Sequence, residues 1–318
     1  TGGAGFIGGA LIRRLLRSSS LKIFNLDKLG YASDLTGINN LLQNNNSKEG
    51  KSNYEFLKID LAKFNEVQSA IYYSNPDLVI HLAAESHVDR SIETPSNFIE
   101  SNIIGTFNLL EAVRRHWEKL PNQRKENFKI HHISTDEVFG SLEENGSFSE
   151  TTPYAPRSPY SATKASSDHL VDAWHHTYNL PVIITNCSNN FGPWQFPEKL
   201  IPLVINKALN KEIIPLYGDG SNVRDWLYVE DHVDAILLAA TKGKPGKKYC
   251  IGGFGEKSNK EVVLKICNHL DKIHPISFSY SSLIRNVADR PGHDKRYSID
   301  SSLIRNELNW EPNHTFET

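Results

Sequence analysis

The sequence predicts an α/β fold, a doubly wound parallel sheet followed by a smaller C-terminal α/β domain. Three observations predict it. Short apolar runs alternate with helix-patterned segments over the first two-thirds of the chain, the signature of parallel strands joined by covering helices. A glycine-rich turn, TGGAGFIG, opens straight into an apolar-periodic helix. After residue 187 the pattern changes to short strands, aromatic loops and Pro/Gly punctuation. The first domain is expected to span 1–186 with about 223–252, and the second about 187–222 with 253–318.

The elements follow in order. Gly2, Gly5 and Gly8 lead into a helix over 6–18 that continues through Leu11, Leu15 and Leu16. KIFNL (22–26) is a strand ending at Asp27, and the polar LLQNNNSKEGKSN (41–53) reads as a surface insertion. YEFLKI (54–59) precedes a helix at 62–73, with Asp60 placed either to contact a base or to cap that helix near Lys63. DLVIHL (77–82) runs into the small residues Ala83, Ala84 and Ser86, before a helix at 96–118. FKIHHIS (128–134) ends at Ser134-Thr135, EENGSFSETTPYAPRSP (143–159) reads as a loop over a site, and a helix at 160–178 precedes PVIITN (181–186). No internal repeat interrupts this order.

Composition narrows the function. With 35 basic and 37 acidic residues the chain lacks the basic footprint of a nucleic-acid binder. No apolar run approaches the roughly 20 residues of a membrane span. Neither nucleic acid nor membrane is an expected partner. Cys187, Cys250 and Cys267 are odd in number and unclustered, which fits a cytoplasmic, reducing compartment. The pairs His81/His87, His131/His132 and His175/His176 lack a third clustered ligand, so no metal is expected. There is no methionine, and the glycine turn stands at the very start, where a buried strand normally precedes it. The chain therefore reads as a fragment lacking the first, central strand and a final helix.

The chemistry is carried by three groups of residues. Glycines at a helix N-terminus let the backbone approach a pyrophosphate, and Asp27, 19 residues after Gly8, can accept hydrogen bonds from ribose hydroxyls. This is a Rossmann-type pattern, and the carboxylate favours NAD over its 2′-phosphorylated form. Tyr160 and Lys164, at i and i+4 on one helix face, predict a phenol brought down toward a useful general base by the adjacent ammonium. Asp136 and Glu137 directly follow Thr135. Alcohol oxidation needs only Tyr160, Lys164 and Thr135, so two further carboxylates predict an acid and a base for eliminating water.

These motifs resemble the extended short-chain dehydrogenase/reductase family, and within it the nucleotide-sugar 4,6-dehydratases. The strings that carry the resemblance are NLDKLGYA, HLAAESHVDRSI, STDEVFG, SPYSATKASSD, NNFGPWQFPEKLIPL, YGDGSNVRDWLYVEDH and DRPGHDKRYSID. The resemblance implies a dTDP-glucose substrate and bound NAD, with C4 oxidation, elimination across C5–C6, and hydride return to C6. It assigns Phe6, Ile7, Lys28, Asp60, Leu61, Ala83, Ala84 and Ser86 to the cofactor, Ser86 and Thr135 also facing the sugar. It assigns Asn189, Glu198, Lys199 and Leu200 to the sugar and diphosphate, and Pro215 and Tyr217 to the base. Arg224 and Asn259 would meet the diphosphate, with Arg290, His293 and Tyr297 closing over it. It further implies a homodimer through helices 96–118 and 160–178, which carry apolar residues on more than one face (Phe98, Ile99, Ile103, Leu109; Leu170, Trp174). Phe139 and Phe191 stand where the family commonly has tyrosine, and GGFGEKSN where GGHNEKTN is usual. Alternatives are another NAD-dependent nucleotide-sugar epimerase or 4,6-dehydratase, or a non-catalytic nucleotide-sugar-binding protein. Sister epimerases lack the Asp-Glu pair.

Overall fold

The computed structural model describes residues 1–18, 20–45 and 53–317. Residues 46–52 of the expected surface insertion lie outside the described residues. The first part runs α1 (Phe6–Ser18), β1 (Ile23–Asp27), α2 (Thr36–Asn45), β2 (Tyr54–Lys58), α3 (Phe64–Ser74), β3 (Leu78–His81), α4 (Val88–Glu93), α5 (Pro95–Phe98), α6 (Gly105–Glu118), α7 (Asn122–Asn127), β4 (Lys129–Thr135), α8 (Pro159–Tyr178) and β5 (Val182–Cys187). The five strands coincide with the expected apolar runs to within two residues.

The rest contains β6 (Asn189–Phe191), α9 (Leu200–Leu209), β7 (Ile214–Tyr217), β8 (Val223–Arg224), β9 (Trp226–Tyr228), α10 (Val229–Lys242), β10 (Lys248–Ile251), β11 (Lys257–Ser258), α11 (Asn259–Ile273), β12 (Ile284–Val287) and α12 (Ser302–Leu308). Strand β10 returns to the first part, giving a parallel sheet of order β10-β5-β4-β3. Strands β1 and β2 form a separate parallel pair. Residues Thr1 and Gly2 lie between the two: Thr1 N donates to Ile80 O (2.8 Å), Leu82 N to Thr1 O (3.2 Å), and Gly2 N to Leu26 O (2.9 Å).

Every residue of β5 is buried, and the strand opens on the apolar run Val182–Ile184 before the buried polar Thr185 and Asn186. Its side chains alternate between two cores. Val182 and Ile184 pack with Leu109, Leu110 and Val113 of α6 and Val67 and Ile71 of α3. Ile183 faces Ala235 and Ala239 of α10, where Ile304, Leu308 and Trp310 also pack. A further core joins α9, α11, β7 and Tyr280 through Val204, Ala208, Ile214, Leu216, Val263 and Leu270. Among the described residues no helix is long and apolar enough to cross a membrane.

Two expectations change. The helix anticipated over 96–118 is interrupted by a π-helical turn at Ile99–Ile104. The wider turn has local support: the Asn102 carbonyl accepts hydroxyl bonds from Thr106 and Ser167, both at 2.6 Å. No residue of the segment 143–159, expected as a loop over a site, lines the cleft described below. Phe148 pairs with the C-terminal segment (Phe148 N to Ser298 O, Asp300 N to Phe148 O, both 2.8 Å) and packs against Phe139, Tyr297 and Ile299. Its aromatic side chain gains more by burial there than over a water-filled groove.

Candidate active site

A long cleft runs across the C-terminal ends of β1, β3, β4 and β5, with about 1650 Å³ of space free of protein atoms, its open mouth included. Open α/β sheets bind ligands at such an edge. Gly2, Gly5, Phe6, Ile7, Asp27, Lys28, Asp60, Leu61, Ala83, Ala84, Ser86, Tyr160 and Lys164 all line it, and so does Gly8.

The glycine turn fits a dinucleotide for steric reasons. Gly2 has φ +74°, and a Cβ there would sit 2.5 Å from the Ala83 nitrogen. A Cβ on Gly8 would lie 2.3 Å from the Gly2 carbonyl, so α1 could not start so close to the turn. Asp27 Oδ2 accepts from Ala4 N (3.0 Å), and Oδ1 accepts from Leu29 N (2.8 Å) and the Ser33 hydroxyl (3.2 Å). Those bonds fix the carboxylate at the cleft wall while leaving acceptor capacity on Oδ2. Asp60 accepts from Ala62 N (3.0 Å) as a local turn and does not cap α3, whose N-cap position is Lys63. The residues present are the donor and acceptor set that NAD requires.

Helix α8 presents the proton-transfer groups. Ser158 caps it with a reciprocal bond to Ser161, and Pro159 sets its first turn, so Tyr160 and Lys164 start a rigid element. Both are buried, at 7% and 4% exposed. The expected lowering of Tyr160 is absent in this state: burial and the nearby Glu137 hold the phenol well above its ordinary value, while a hydrogen bond with Thr135 pulls the other way. Lys164 donates its Nζ to the Ile133 carbonyl (2.9 Å), and burial lowers its own pKa. In a dry pocket flanked by two carboxylates, one ammonium engaged elsewhere does not offset the cost of a phenolate.

The two carboxylates face different surroundings, because the 3₁₀ turn Asp136–Phe139 sends consecutive side chains in different directions. Glu137 lines the cleft. Asp136, 2% exposed, lies beneath it, Oδ1 accepting from the Thr135 hydroxyl (3.2 Å) and Oδ2 without a partner among the described residues. Burial, Glu137 and Asp225 raise Asp136 well above the carboxylate range. Burial also raises Glu137, but Arg290, Arg224 and Lys199 converge on it and oppose that shift.

The expected sugar-nucleotide residues divide. Ser86, Thr135, Asn189, Glu198 and Lys199 line the cleft. Arg224 stacks on Tyr297 (4.2 Å), and Arg290 and Tyr217 both reach Asp89 (3.6 and 3.4 Å). His293 sits edge-on to Tyr217 with ring centroids 6.4 Å apart. Leu200 opens α9 directly after Lys199 and packs partly against the α9–α11 core, Pro215 stands two residues before Tyr217 in β7, and Asn259 starts α11. The motif pattern missed several lining residues, among them Tyr31, Ser33, Ser101, Asn190 and Gln195. Tyr31 donates to Glu198 (2.8 Å) beneath the Arg90 guanidinium (3.7 Å), which also binds Glu198 (3.2 Å). Only an approach between sequence positions 167 apart reveals that contact. Among the described residues no group of three His, Cys, Asp or Glu could hold a metal.

The model of the GDP-mannose 4,6 dehydratase family matches residues 1–318. The chain is 52% identical to the dTDP-glucose 4,6-dehydratase of Salmonella typhimurium, over all of this chain and 89% of that protein. It is 51% identical to dTDP-glucose 4,6-dehydratase 1 of Escherichia coli, with the same coverage. Among solved structures it is similar to the dTDP-glucose 4,6-dehydratase of Bacillus anthracis in complex with NAD (TM-score 0.84, 41% identity, 99% of this chain and 91% of that one). A UDP-glucose 4-epimerase of Thermus thermophilus, also with NAD, overlays equally well at 26% identity (TM-score 0.84, 99% and 94% covered).

Proposed function

The chain belongs to the GDP-mannose 4,6 dehydratase family, and from that membership we propose that it removes water from dTDP-glucose across C5–C6, giving dTDP-4-keto-6-deoxy-glucose. It is an NAD-dependent hydro-lyase. NAD, when bound, would supply the hydride acceptor and donor and a positive charge that favours an ionised phenol. The protein's own residues move the protons. Tyr160, with Lys164 and Thr135, takes the proton from the sugar O4. The 4-keto group acidifies C5–H, which Glu137 removes, and Asp136 protonates the departing C6 hydroxyl. Return of the hydride to C6 and of a proton from Glu137 to C5 completes the 4-keto-6-deoxy product.

The observation that carries this reading is the unequal treatment of the adjacent carboxylates. Burial and its like-charged neighbours favour the protonated form of Asp136, which suits an acid, whereas at Glu137 three cations oppose the same upward shift from burial, which suits a base. Asn189, Glu198, Lys199 and Leu200 hold the sugar and diphosphate, Pro215 and Tyr217 the base. Arg224, Asn259, Arg290, His293 and Tyr297 enclose the diphosphate; the guanidiniums suit phosphate oxygens. Exposed apolar side chains along the 96–118 segment and α8 (Ile99, Ile104, Phe107, Tyr178) support a homodimer through these helices. Sedimentation at micromolar concentration checks it; a monomer refutes it. Three buried free thiols suit the cytoplasm.

The test is incubation of the protein and NAD with dTDP-, UDP-, GDP- and CDP-glucose, followed by product mass and NMR. The dTDP sugar is expected to become the 4-keto-6-deoxy product fastest. Intact dTDP-glucose, or a C4 epimer, overturns the assignment.

A further inference from the structure

One turn beyond Lys164 on the same face of α8 lies Asp168, 0% exposed. Four side chains from three other segments converge on its carboxylate. Oδ1 meets His132 Nε2 (3.0 Å); Oδ2 accepts from the Ser134 hydroxyl (2.8 Å), the Tyr154 phenol (2.9 Å) and the Asn186 amide (3.3 Å). His132 and Ser134 come from β4, Asn186 from β5, and Tyr154 from the loop before α8. Because the other three are donors to a carboxylate, His132 is read as the Nε2–H tautomer. Four donors with no competing acceptor suit a carboxylate ion.

We propose that Asp168 is a positioning residue, the buried counter-ion that keeps the Lys164 ammonium charged beneath Tyr160. The proposal rests on the reading of Tyr160 and Lys164 as the O4 proton-removing pair. Lys164 is buried, and an ammonium taken out of water loses its proton readily unless an anion stands near. The titratable groups around it are Tyr160 and Asp168 on α8, His81 on β3, His132 on β4 and Cys187 on β5. Burial holds both histidines neutral and pushes the Cys187 thiol up to about 12. Tyr160 is likewise held in its neutral form. Asp168 differs: burial opposes its charge, but His132, Lys164 and Ser134 outweigh that and hold it below the usual range. Among the described groups facing Lys164, Asp168 is therefore the anion. Tyr154 extends the same network to the loop before α8, so that loop braces the helix carrying both proton-transfer groups.

The test is the pH profile of kcat for dTDP-glucose in the holoenzyme. Removing the charge with Asp168→Asn should let Lys164 deprotonate earlier, moving the alkaline limb about 1–3 pH units lower, with KM little changed. Tyr154→Phe removes one hydrogen bond and keeps the charge, so its alkaline limb should stay in place. Asp168→Asn with kcat reduced equally at every pH, its limb unmoved, would mean a purely structural role and overturn the proposal. An independent measurement needs no folded variant: the Cε resonance of Lys164 in ¹³C-lysine wild-type protein should remain at its charged position at pH 8. A neutral shift there overturns the proposal too. Wild-type protein inert toward dTDP-glucose would sink the underlying reading, while the resonance still decides the Asp168–Lys164 pairing.

Discussion

Asp136 and Glu137 are neighbours in sequence, yet one is buried with an unpartnered carboxylate oxygen among the described residues and the other stands among Arg290, Arg224 and Lys199. If they are the acid and base of elimination, Asp136→Asn and Glu137→Gln should each slow dehydration by about 10²–10⁴. Oxidation at C4 should survive, so reduced-cofactor absorbance is expected to accumulate in a single turnover with dTDP-glucose. Unimpaired turnover in either variant would contradict the assigned role. The pair was legible because two carboxylates after a strand end exceed what simple oxidation needs. Their different surroundings were not, since Arg224 and Arg290 arrive from positions remote in sequence. Asp168 was partly legible: it continues the stride of four set by Tyr160 and Lys164. Its donors on β4, β5 and the preceding loop appear only on folding. The upward shift of Tyr160 in this state is not legible from its spacing to Lys164, because spacing carries no information about desolvation.

At the scale of elements, the π-helical turn is the feature that sequence periodicity concealed. A wider turn preserves the apolar spacing well enough that 96–118 reads as one helix. What sustains it is Asn102: its side-chain oxygen accepts from Glu85 N (2.8 Å), and its amide donates to Glu85 O (3.0 Å) and the Thr163 hydroxyl (2.9 Å). The segment after β3, which supplies Ala83, Ala84 and Ser86 to the cleft, is thereby tied to α8. Asn102→Ala should cost about 1–3 kcal/mol of stability, the range for buried polar groups left unpaired, measured as a lower urea midpoint. Cofactor should also be lost faster on dilution. A variant with the wild-type midpoint and retention would show that the turn is held by packing alone. The strands are easily read, because a parallel strand covered on both faces is mostly apolar, as β5 is over Val182–Ile184 before Thr185 and Asn186. The loop 143–159 was misplaced because polar composition marks a loop without saying where it packs.

For the whole molecule, four imidazoles are buried, His81 on β3, His131 and His132 on β4, and His232 on α10. Burial lowers His131 and His232 to about 3, far below the roughly 6.5 of an unfolded histidine. The unfolded chain then takes protons that the native state refuses. The contribution of these two imidazoles is complete above about pH 6.5 and is lost as the pH drops toward 3, by roughly 1 kcal/mol per unit for each. Urea midpoints should decline between pH 7 and 5, and His131→Gln should flatten the slope. A midpoint constant over that range would contradict it. The central claim concerns the reaction as a whole: hydride leaves C4, waits through the elimination, and returns to C6 of the same sugar. Its most direct test uses dTDP-glucose carrying deuterium at C4. The account predicts a 4-keto-6-deoxy product with that deuterium on the C6 methyl group. A product without deuterium at C6, or label retained at C4, would contradict it.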